Sequence, residues 1–134
     1  MTTTIKTNIY VVDDDASVRR SLARVVRSAG HNAVTFASAE NFFASDYRTF
    51  EGGCLIVDGK MPRSSGLDML TRLRSERVNM PVIVVSAHDD PETRKAALDA
   101  GANGYFRKPV DSDALLDAIT WALKKGERKK DSSG

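Results

Sequence analysis

Charged and hydroxyl side chains follow four of the five short apolar runs in this 134-residue chain. Three consecutive aspartates, Asp13 to Asp15, follow the first run, Asp58 follows the third, Ser86 the fourth and Lys108 the fifth. Carboxylates that lie a few ångströms apart raise one another's pKa values and destabilise a fold unless a cation joins them. Oxygen ligands of this kind suit Mg²⁺, which binds through one or two carboxylates and keeps several waters.

Asp13, Asp14 and Asp58 are therefore the candidate metal ligands, whereas Asp15 is more typical of a helix N-cap. A carboxylate beside such a metal can act as a nucleophile on a phosphoryl group, because the metal and a lysine counter the charge of the phosphoryl oxygens. The Ser86 hydroxyl could hydrogen-bond the product phosphate. These residue types predict phosphate handling through an aspartyl phosphate.

The pattern of apolar residues predicts five strands, each followed by a helix. The predicted strands are Ile9–Val12, Ala33–Phe36, Cys54–Val57, Val82–Val85 and Gly104–Arg107. Strict alternation with wholly apolar strands indicates an α/β fold, a doubly wound (βα)5 domain whose parallel five-stranded sheet lies between two helix layers. Because ligands of such sheets bind beyond the carboxyl ends of the strands, the charged residues should share one edge.

Glycines and capping residues predict where the helices begin and end. The helical periodicity stops at Gly30, Gly101 and Gly126. The N-cap candidates are Ser38, Ser64 or Ser65, Asp90 before Pro91, and Asp111 or Ser112. We therefore predict one folded domain over residues 1–125 and a linker or an added tail over residues 126–134.

The composition is typical of a globular protein and excludes several other classes. Hydrophobic residues make up 41% of the chain, charged residues make up 28%, and no apolar run is long enough for a membrane helix. The first residues lack the apolar stretch of a secretory signal, so we expect a cytoplasmic location and no membrane partner. The single cysteine, Cys54, lies in an apolar run and is expected to be a buried core thiol without a disulfide.

The net charge of +2 comes from the end of the chain and not from its body. Residues 124–130 hold five basic residues and one acidic residue, whereas residues 1–123 hold fifteen basic and sixteen acidic residues. A nearly neutral body that gathers acid at one edge is not expected to bind nucleic acid directly.

Seven short motifs together resemble the receiver domain of two-component response regulators, and most of all its FixJ-like branch. They occur in the family's order and spacing over about residues 7–124. The motifs are Tyr10–Asp15, Ser17–Leu22, Ile56–Pro62, Ser65–Leu67, Pro81–His88, Ala100–Ala102 and Tyr105–Val110. The resemblance implies the flavodoxin-like strand order 2-1-3-4-5, with the switch point between strands one and three.

The resemblance also implies roles for the candidate residues at the acidic edge. Asp58 matches the phosphoacceptor, Asp14 the acid that binds Mg²⁺ directly, and Asp13 the acid that acts through water. The backbone carbonyl of Lys60 would complete the protein ligands of Mg²⁺, for which Mn²⁺ can substitute. Lys60 and His88 lie two residues beyond the acceptor and the switch hydroxyl, at positions that modulate the lifetime of the phosphoryl group.

Three further residues match the parts of a receiver that respond to the phosphoryl group. Ser86 matches the switch hydroxyl, Lys108 the phosphate-binding lysine, and Tyr105 the aromatic residue whose rotamer follows the hydroxyl. The peptide bond between Lys108 and Pro109 matches one that is commonly cis in the family. Gly59 departs from the family, in which many members carry a larger residue, and is expected to loosen the loop after the acceptor.

Phosphorylation is then expected to shift a two-state equilibrium that alters the face formed by helix 4, strand 5 and helix 5. The candidate residues of this face are Arg94, Lys95, Leu98, Asp99, Tyr105, Arg107 and Asp113. The implied partners are a cognate histidine kinase, a second copy of the chain in a homodimer formed through this face, and an output domain, most often transcriptional. The chain would be a phosphoacceptor that catalyses its own phosphorylation and dephosphorylation, and not an enzyme with a separate substrate.

Other functions remain open from the sequence. Asp13 and Asp15 have the two-acid spacing of haloacid-dehalogenase-like phosphatases, which would make Asp13 the nucleophile but would leave Asp58 and Lys108 unexplained. A stand-alone phosphorelay carrier and a receiver-like module that never accepts phosphate are two further alternatives. A flavodoxin-type FMN carrier is disfavoured, because three aspartates would repel the phosphate that its first loop must bind.

Overall fold

The computed structural model describes residues 7–50, 52–88 and 90–133, without the side chains of residues 126–133. Its five strands are β1 Asn8–Val12, β2 Asn32–Phe36, β3 Cys54–Asp58, β4 Val82–Ser86 and β5 Gly104–Arg107. They pair in parallel in the order β2-β1-β3-β4-β5. The predicted α/β fold and strand order are confirmed, and no strand differs from its predicted range by more than one residue at either end.

Five helices alternate with the strands. They are α1 Ala16–Ser28, α2 Ala39–Phe43, α3 Gly66–Ser75, α4 Pro91–Asp99 and α5 Ser112–Ser133, and a 3-10 turn at Tyr47–Thr49 follows α2. The predicted caps are in place, because side chains of the residues before the first four helices accept first-turn N–H groups; these are Asp15, Ser38, Ser65 and Asp90. Asp111 Oδ2 does the same for α5, accepting a hydrogen bond from the Ala114 N–H at 2.9 Å.

The sequence pattern predicted that the last helix ends at Gly126, and this prediction is wrong. Its backbone continues through this glycine to Ser133. A glycine inside a helix costs only about 1 kcal/mol relative to alanine, and the glutamate, arginine and lysines that follow it are strong helix formers. Residues 126–133 are thus helical in backbone, whereas their side chains and residue 134 lie outside the described residues, as do residues 1–6.

Each face of the sheet packs against its own helix layer, because successive strand residues point to opposite faces. Tyr10, Leu55 and Val57 belong to the core on the side of α2, α3 and α4, whereas Ile9 and Ile56 belong to the core on the side of α1 and α5. The chain therefore leaves β1 toward one layer and β3 toward the other, which opens a crevice where these neighbouring strands end. No helix of the described residues has the length and apolar content needed to cross a bilayer.

The single cysteine belongs to this core. Cys54 begins β3 and is fully buried. Burial raises the pKa of the thiol to about 12, so the reactive thiolate is not populated near neutral pH. The prediction of a buried core thiol is confirmed.

The core predicts different costs for two leucine truncations. Leu70 on α3 is fully buried, whereas Leu98 on α4 is 46% exposed. We expect Leu70→Ala to lower the free energy of unfolding by about 2–5 kcal/mol, because the change removes buried methyl groups and leaves a cavity. The matched change Leu98→Ala should cost about 0.5 kcal/mol or less in the same urea titration. Equal losses in the two variants would contradict the described packing.

Candidate functional site

Three carboxylates meet in the crevice between the ends of β1 and β3. Asp13, Asp14 and Asp58 each have an oxygen within 4.8 Å of an oxygen of the other two. Asp13 is fully buried and Asp58 is 5% exposed, whereas Asp14 is exposed to solvent. The structure therefore brings together the three acids that the sequence proposed as metal ligands.

One ammonium group faces two of these acids. Lys108 Nζ lies 2.9 Å from Asp13 Oδ2 and 3.2 Å from Asp58 Oδ1. Despite the short contact, Asp13 Oδ2 accepts no well-oriented hydrogen bond within the described part of the chain. An under-coordinated buried carboxylate beside two further acids and a single cation fits a hard divalent metal, whose ligands are oxygens. The cluster could therefore hold a metal ion.

Burial and charge shift the protonation of this cluster. Burial raises the pKa of Asp58 to about 6; the Lys60 N–H opposes this shift, the charge of Asp13 adds to it, and Lys108 opposes it. Burial works against the charged form of Lys108, but contact with Asp13 and the charges of both acids raise the pKa of the ammonium above its ordinary value. Lys108 is thus a permanent cation, whereas Asp58 carries a large cost for its own charge.

Backbone hydrogen bonds position the acids beyond the ends of their strands. The Asp13 N–H donates to the Phe36 carbonyl at 3.2 Å, and Asp13 Oδ1 accepts the Asp15 N–H at 2.9 Å. Asp58 Oδ1 accepts the Lys60 N–H at 3.2 Å. Asp15 serves as the N-cap of α1, as predicted, and its side chain accepts hydrogen bonds from first-turn N–H groups.

Two glycines allow a close approach around Asp58. A Cβ on Gly66 would lie 2.7 Å from the Asp58 carbonyl oxygen, so the start of α3 packs directly on the backbone of Asp58. A Cβ on Gly59 would lie 2.9 Å from Ser86 Cβ and 3.1 Å from its Oγ. We expected Gly59 to loosen the loop, but the structure shows it in tight packing, with its N–H donating to the Val85 carbonyl at 2.7 Å.

The loop between β4 and α4 is held from two sides at His88. The His88 N–H donates to Ser86 Oγ at 3.2 Å, and the Tyr105 hydroxyl donates to the His88 carbonyl at 2.9 Å. Ser86 is 3% exposed and Tyr105 is 6% exposed, so both side chains are internal. Ser86, which directly follows Val85 in β4, is therefore linked through one loop residue to the tyrosine of β5.

Other predicted residues lie outside this crevice. Lys95 and Asp99 form an exposed ion pair of 3.2 Å on α4, and Leu98 of the same helix is also exposed. Tyr105 was predicted as a surface residue, but its ring is buried because β4 and α4 cover it, with the Arg94 guanidinium 5.2 Å from the ring centroid. The Lys108–Pro109 peptide bond is cis, as the resemblance implied.

Sequence reasoning missed one residue that contacts the acidic cluster. Arg19, one turn into α1, donates from Nη1 to the Asp13 carbonyl oxygen at 2.7 Å. An arginine six residues after a strand-end acid is the only signal in the sequence, and it does not distinguish this arginine from Arg20, Arg24 or Arg27 of the same helix.

The fold and the site together define a class: an α/β domain with an acidic, lysine-paired centre at the switch point of its parallel sheet. The family model of the response regulator receiver domain matches residues 9–120. The chain belongs to this family.

Individual relatives agree with the family assignment. The response regulator protein TmoT of Ectopseudomonas mendocina is 39% identical over 125 residues, which cover 93% of this chain and 56% of that protein. The structure of the response regulator StyR matches with a TM-score of 0.86 and 34% identity, covering 96% of this chain and 65% of StyR. The structure of FixJ-N matches with a TM-score of 0.82 and 31% identity over 90% of this chain and 96% of that one. The chain is thus similar to the FixJ-like branch and spans little more than half the length of TmoT.

The raised pKa of Asp58 predicts a pH-dependent stability. The folded chain retains a proton on Asp58 at pH values at which the unfolded chain has lost it, so the free energy of unfolding should fall as the pH rises from about 4 to about 6. Asp58→Asn removes this titration. At pH 7 and with a chelator present, the free energy of unfolding of the variant should exceed that of the wild type by about 1–2 kcal/mol. This is less than the whole shift in the pKa of Asp58 would give, because the crevice is open to water.

Urea titrations at pH 4.5 and pH 7 measure this difference. Asp46→Asn, which changes an exposed acid outside the crevice, should keep the wild-type pH dependence. If Asp58→Asn and the wild type changed in parallel with pH, the described electrostatics of Asp58 would be wrong.

The packing at Gly59 predicts an effect of a single methyl group. Gly59→Ala should lower the free energy of unfolding by about 1–3 kcal/mol, because the new Cβ meets Ser86 Cβ, which cannot rotate away. Gly104→Ala is the matched control, since its Cβ would meet the outer ring edge of Phe106 at 3.2 Å, a group that can move. Denaturant unfolding compares the two, and a larger loss in Gly104→Ala would contradict this packing.

Proposed function

We propose that the chain is the phosphoacceptor domain of a response regulator, with Asp58 as the acceptor and the phosphohistidine of a cognate histidine kinase as the donor. A carboxylate oxygen of Asp58 attacks phosphorus, an O–P bond forms, and the P–N bond of the donor breaks. The leaving imidazole keeps the electron pair of the P–N bond and takes up a proton from solvent water. The observation that carries this proposal is the cluster of Asp13, Asp14 and Asp58, two of which, Asp13 and Asp58, contact the ammonium of Lys108.

The same residues account for the metal requirement of such a reaction. Asp13, Asp14, Asp58 and the backbone carbonyl of Lys60 would hold Mg²⁺, for which Mn²⁺ can substitute. The bound cation supplies positive charge for the phosphoryl oxygens and for the crowded acids. Lys108 supplies a second cation on the β5 side of the crevice and stays charged near neutral pH, since the two acids raise its pKa.

The contacts of Ser86 provide a route from the acceptor to the surface. A phosphoryl group on Asp58 adds strong acceptor oxygens, which draw the Ser86 hydroxyl and Lys108 toward them. The hydroxyl then loses its hydrogen bond with the His88 N–H, and the loop shifts. This shift affects Tyr105, because the Tyr105 hydroxyl donates to the His88 carbonyl. The face of α4, β5 and α5 is the proposed output, through a homodimer or an attached domain.

Residues beside the site tune the reaction. Lys60 is exposed next to the acceptor and His88 is exposed next to the switch hydroxyl, so each can influence water near the phosphoryl group and thus its lifetime. We further propose residues 1–125 as the receiver and residues 126–134 as the connection to an output domain, which is transcriptional in type because the matched relatives include transcriptional regulators.

Labelling with a small phosphodonor tests the proposed acceptor. Acetyl phosphate with Mg²⁺ should label the wild type with one acyl phosphate, and Asp58→Asn should reduce labelling by at least 100-fold, because the nucleophilic oxygen is replaced. Asp15→Asn is the matched control: asparagine also caps helices, so labelling should persist. Peptide mapping locates the label after borohydride trapping.

Label at Asp13 would favour the phosphatase-like alternative, and absence of label in the wild type would favour a module that never accepts phosphate. Either result would overturn the proposal. Chelation of Mg²⁺ should abolish labelling of the wild type and should not restore labelling of Asp58→Asn.

A further inference from the structure

An arginine-rich groove runs along α1 beside the acidic crevice. It has a volume of about 490 Å³, and four of its lining side chains are arginines, namely Arg19, Arg20, Arg24 and Arg27. The sequence of α1 contains no acidic residue, and neither does that of β2, which lies against it. Most of these guanidinium groups face solvent, as expected for a polar helix face.

Arg19 differs from its neighbours in where its charge is placed. It is half-buried, and its Nη1 lies 2.7 Å from the carbonyl oxygen of Asp13. Arg20 and Arg24 are exposed and make no hydrogen bond or ion pair within the described residues. Arg27 reaches only the Ala33 carbonyl, at 3.4 Å, on the far side of the groove.

The carbonyl that Arg19 contacts belongs to the peptide unit joining Asp13 to Asp14. Its orientation sets the direction in which the chain leaves β1 and therefore where both carboxylates lie. The side chain of Asp13 is already held by the Asp15 N–H and by Lys108, whereas the described residues offer the Asp14 carboxylate no hydrogen bond. The exposed acid thus depends on the backbone for its position.

We infer that Arg19 is a positioning residue of the metal site, which fixes the Asp13–Asp14 peptide so that the two acids can share one divalent cation with Asp58. This inference rests on the proposed function, because it assumes that the acids bind Mg²⁺. Arg19 belongs to the second layer of contacts around a metal, and such contacts commonly change metal affinity by 10–100-fold when they are lost.

Because Arg19 is charged, the direction in which its substitution changes the Mg²⁺ affinity tests the inference. A cation near three carboxylates competes with a bound metal, so removal of its charge alone should strengthen Mg²⁺ binding. Loss of a positioning contact should weaken it. Arg24 lies five residues further along α1, about 7 Å along the axis, and serves as the matched control that loses charge without losing a contact.

Calorimetric Mg²⁺ titrations of the full chain distinguish these effects. Arg19→Met should weaken Mg²⁺ binding by about tenfold relative to the wild type. Arg24→Met should leave the affinity unchanged or increase it slightly. Arg19→Lys, which keeps the charge and one possible donor, should recover part of the loss but not all of it.

Other results of these titrations would overturn either the positioning role or the proposed function. An affinity in Arg19→Met equal to or above that of Arg24→Met, or an Arg19→Lys variant no better than Arg19→Met, would overturn the positioning role. A wild type that binds no Mg²⁺ would overturn the proposed function itself. Urea unfolding in chelator tests whether Arg19→Met remains folded, as we expect. If this variant does not fold, the Mg²⁺ affinity of Arg19→Lys is compared with that of the wild type. Equal affinities of these two proteins would then count against the inference.

Discussion

The crowding of three carboxylates, two of which share one ammonium group, is the constraint on which the rest of the structure depends. Asp13 and Asp58 are buried where like charges repel, and Lys108 contacts both of them. Burial, together with the charge of Asp13, raises the pKa of Asp58 to about 6 despite the opposing effects of the Lys60 N–H and of Lys108, so the folded chain holds an acid in an unfavourable environment. Under the proposed function, a divalent cation would relieve this cost and a phosphoryl group on Asp58 would change the charge balance of the site.

The parallel sheet brings the acids together and also connects them with Ser86 and Lys108. Because β1 and β3 are neighbours whose chains leave toward opposite helix layers, their terminal acids share one crevice. Ser86 ends β4 and Lys108 directly follows β5, and the Lys108 N–H donates to the Ser86 carbonyl at 2.8 Å. Hydrogen bonds of 3.2 Å and 2.9 Å link Ser86 to His88 and His88 to Tyr105, and under the proposed function they would carry a change at Asp58 toward the surface of α4 and β5.

Much of this arrangement follows from the sequence, because its signals are local. Wholly apolar strands, helix caps such as Ser65 and the residues at strand exits predicted the fold and the acids that meet. Contacts that depend on three-dimensional approach were not predictable: Gly59 packs on a side chain of another strand, and Arg19 is one of four arginines in a short helix. The end of α5 was misplaced because a glycine is a weak stop signal when helix-forming residues follow it.

The most direct test of this account is a crystal structure of the chain with Mg²⁺ and beryllofluoride, a mimic of the phosphoryl group. The account predicts beryllium on a carboxylate oxygen of Asp58, Mg²⁺ bound beside it directly by Asp14 and through water by Asp13, and contacts from Ser86 and Lys108 to the fluorines. Beryllofluoride bound to Asp13, or a complex in which the Ser86 hydroxyl remains with the loop, would contradict it.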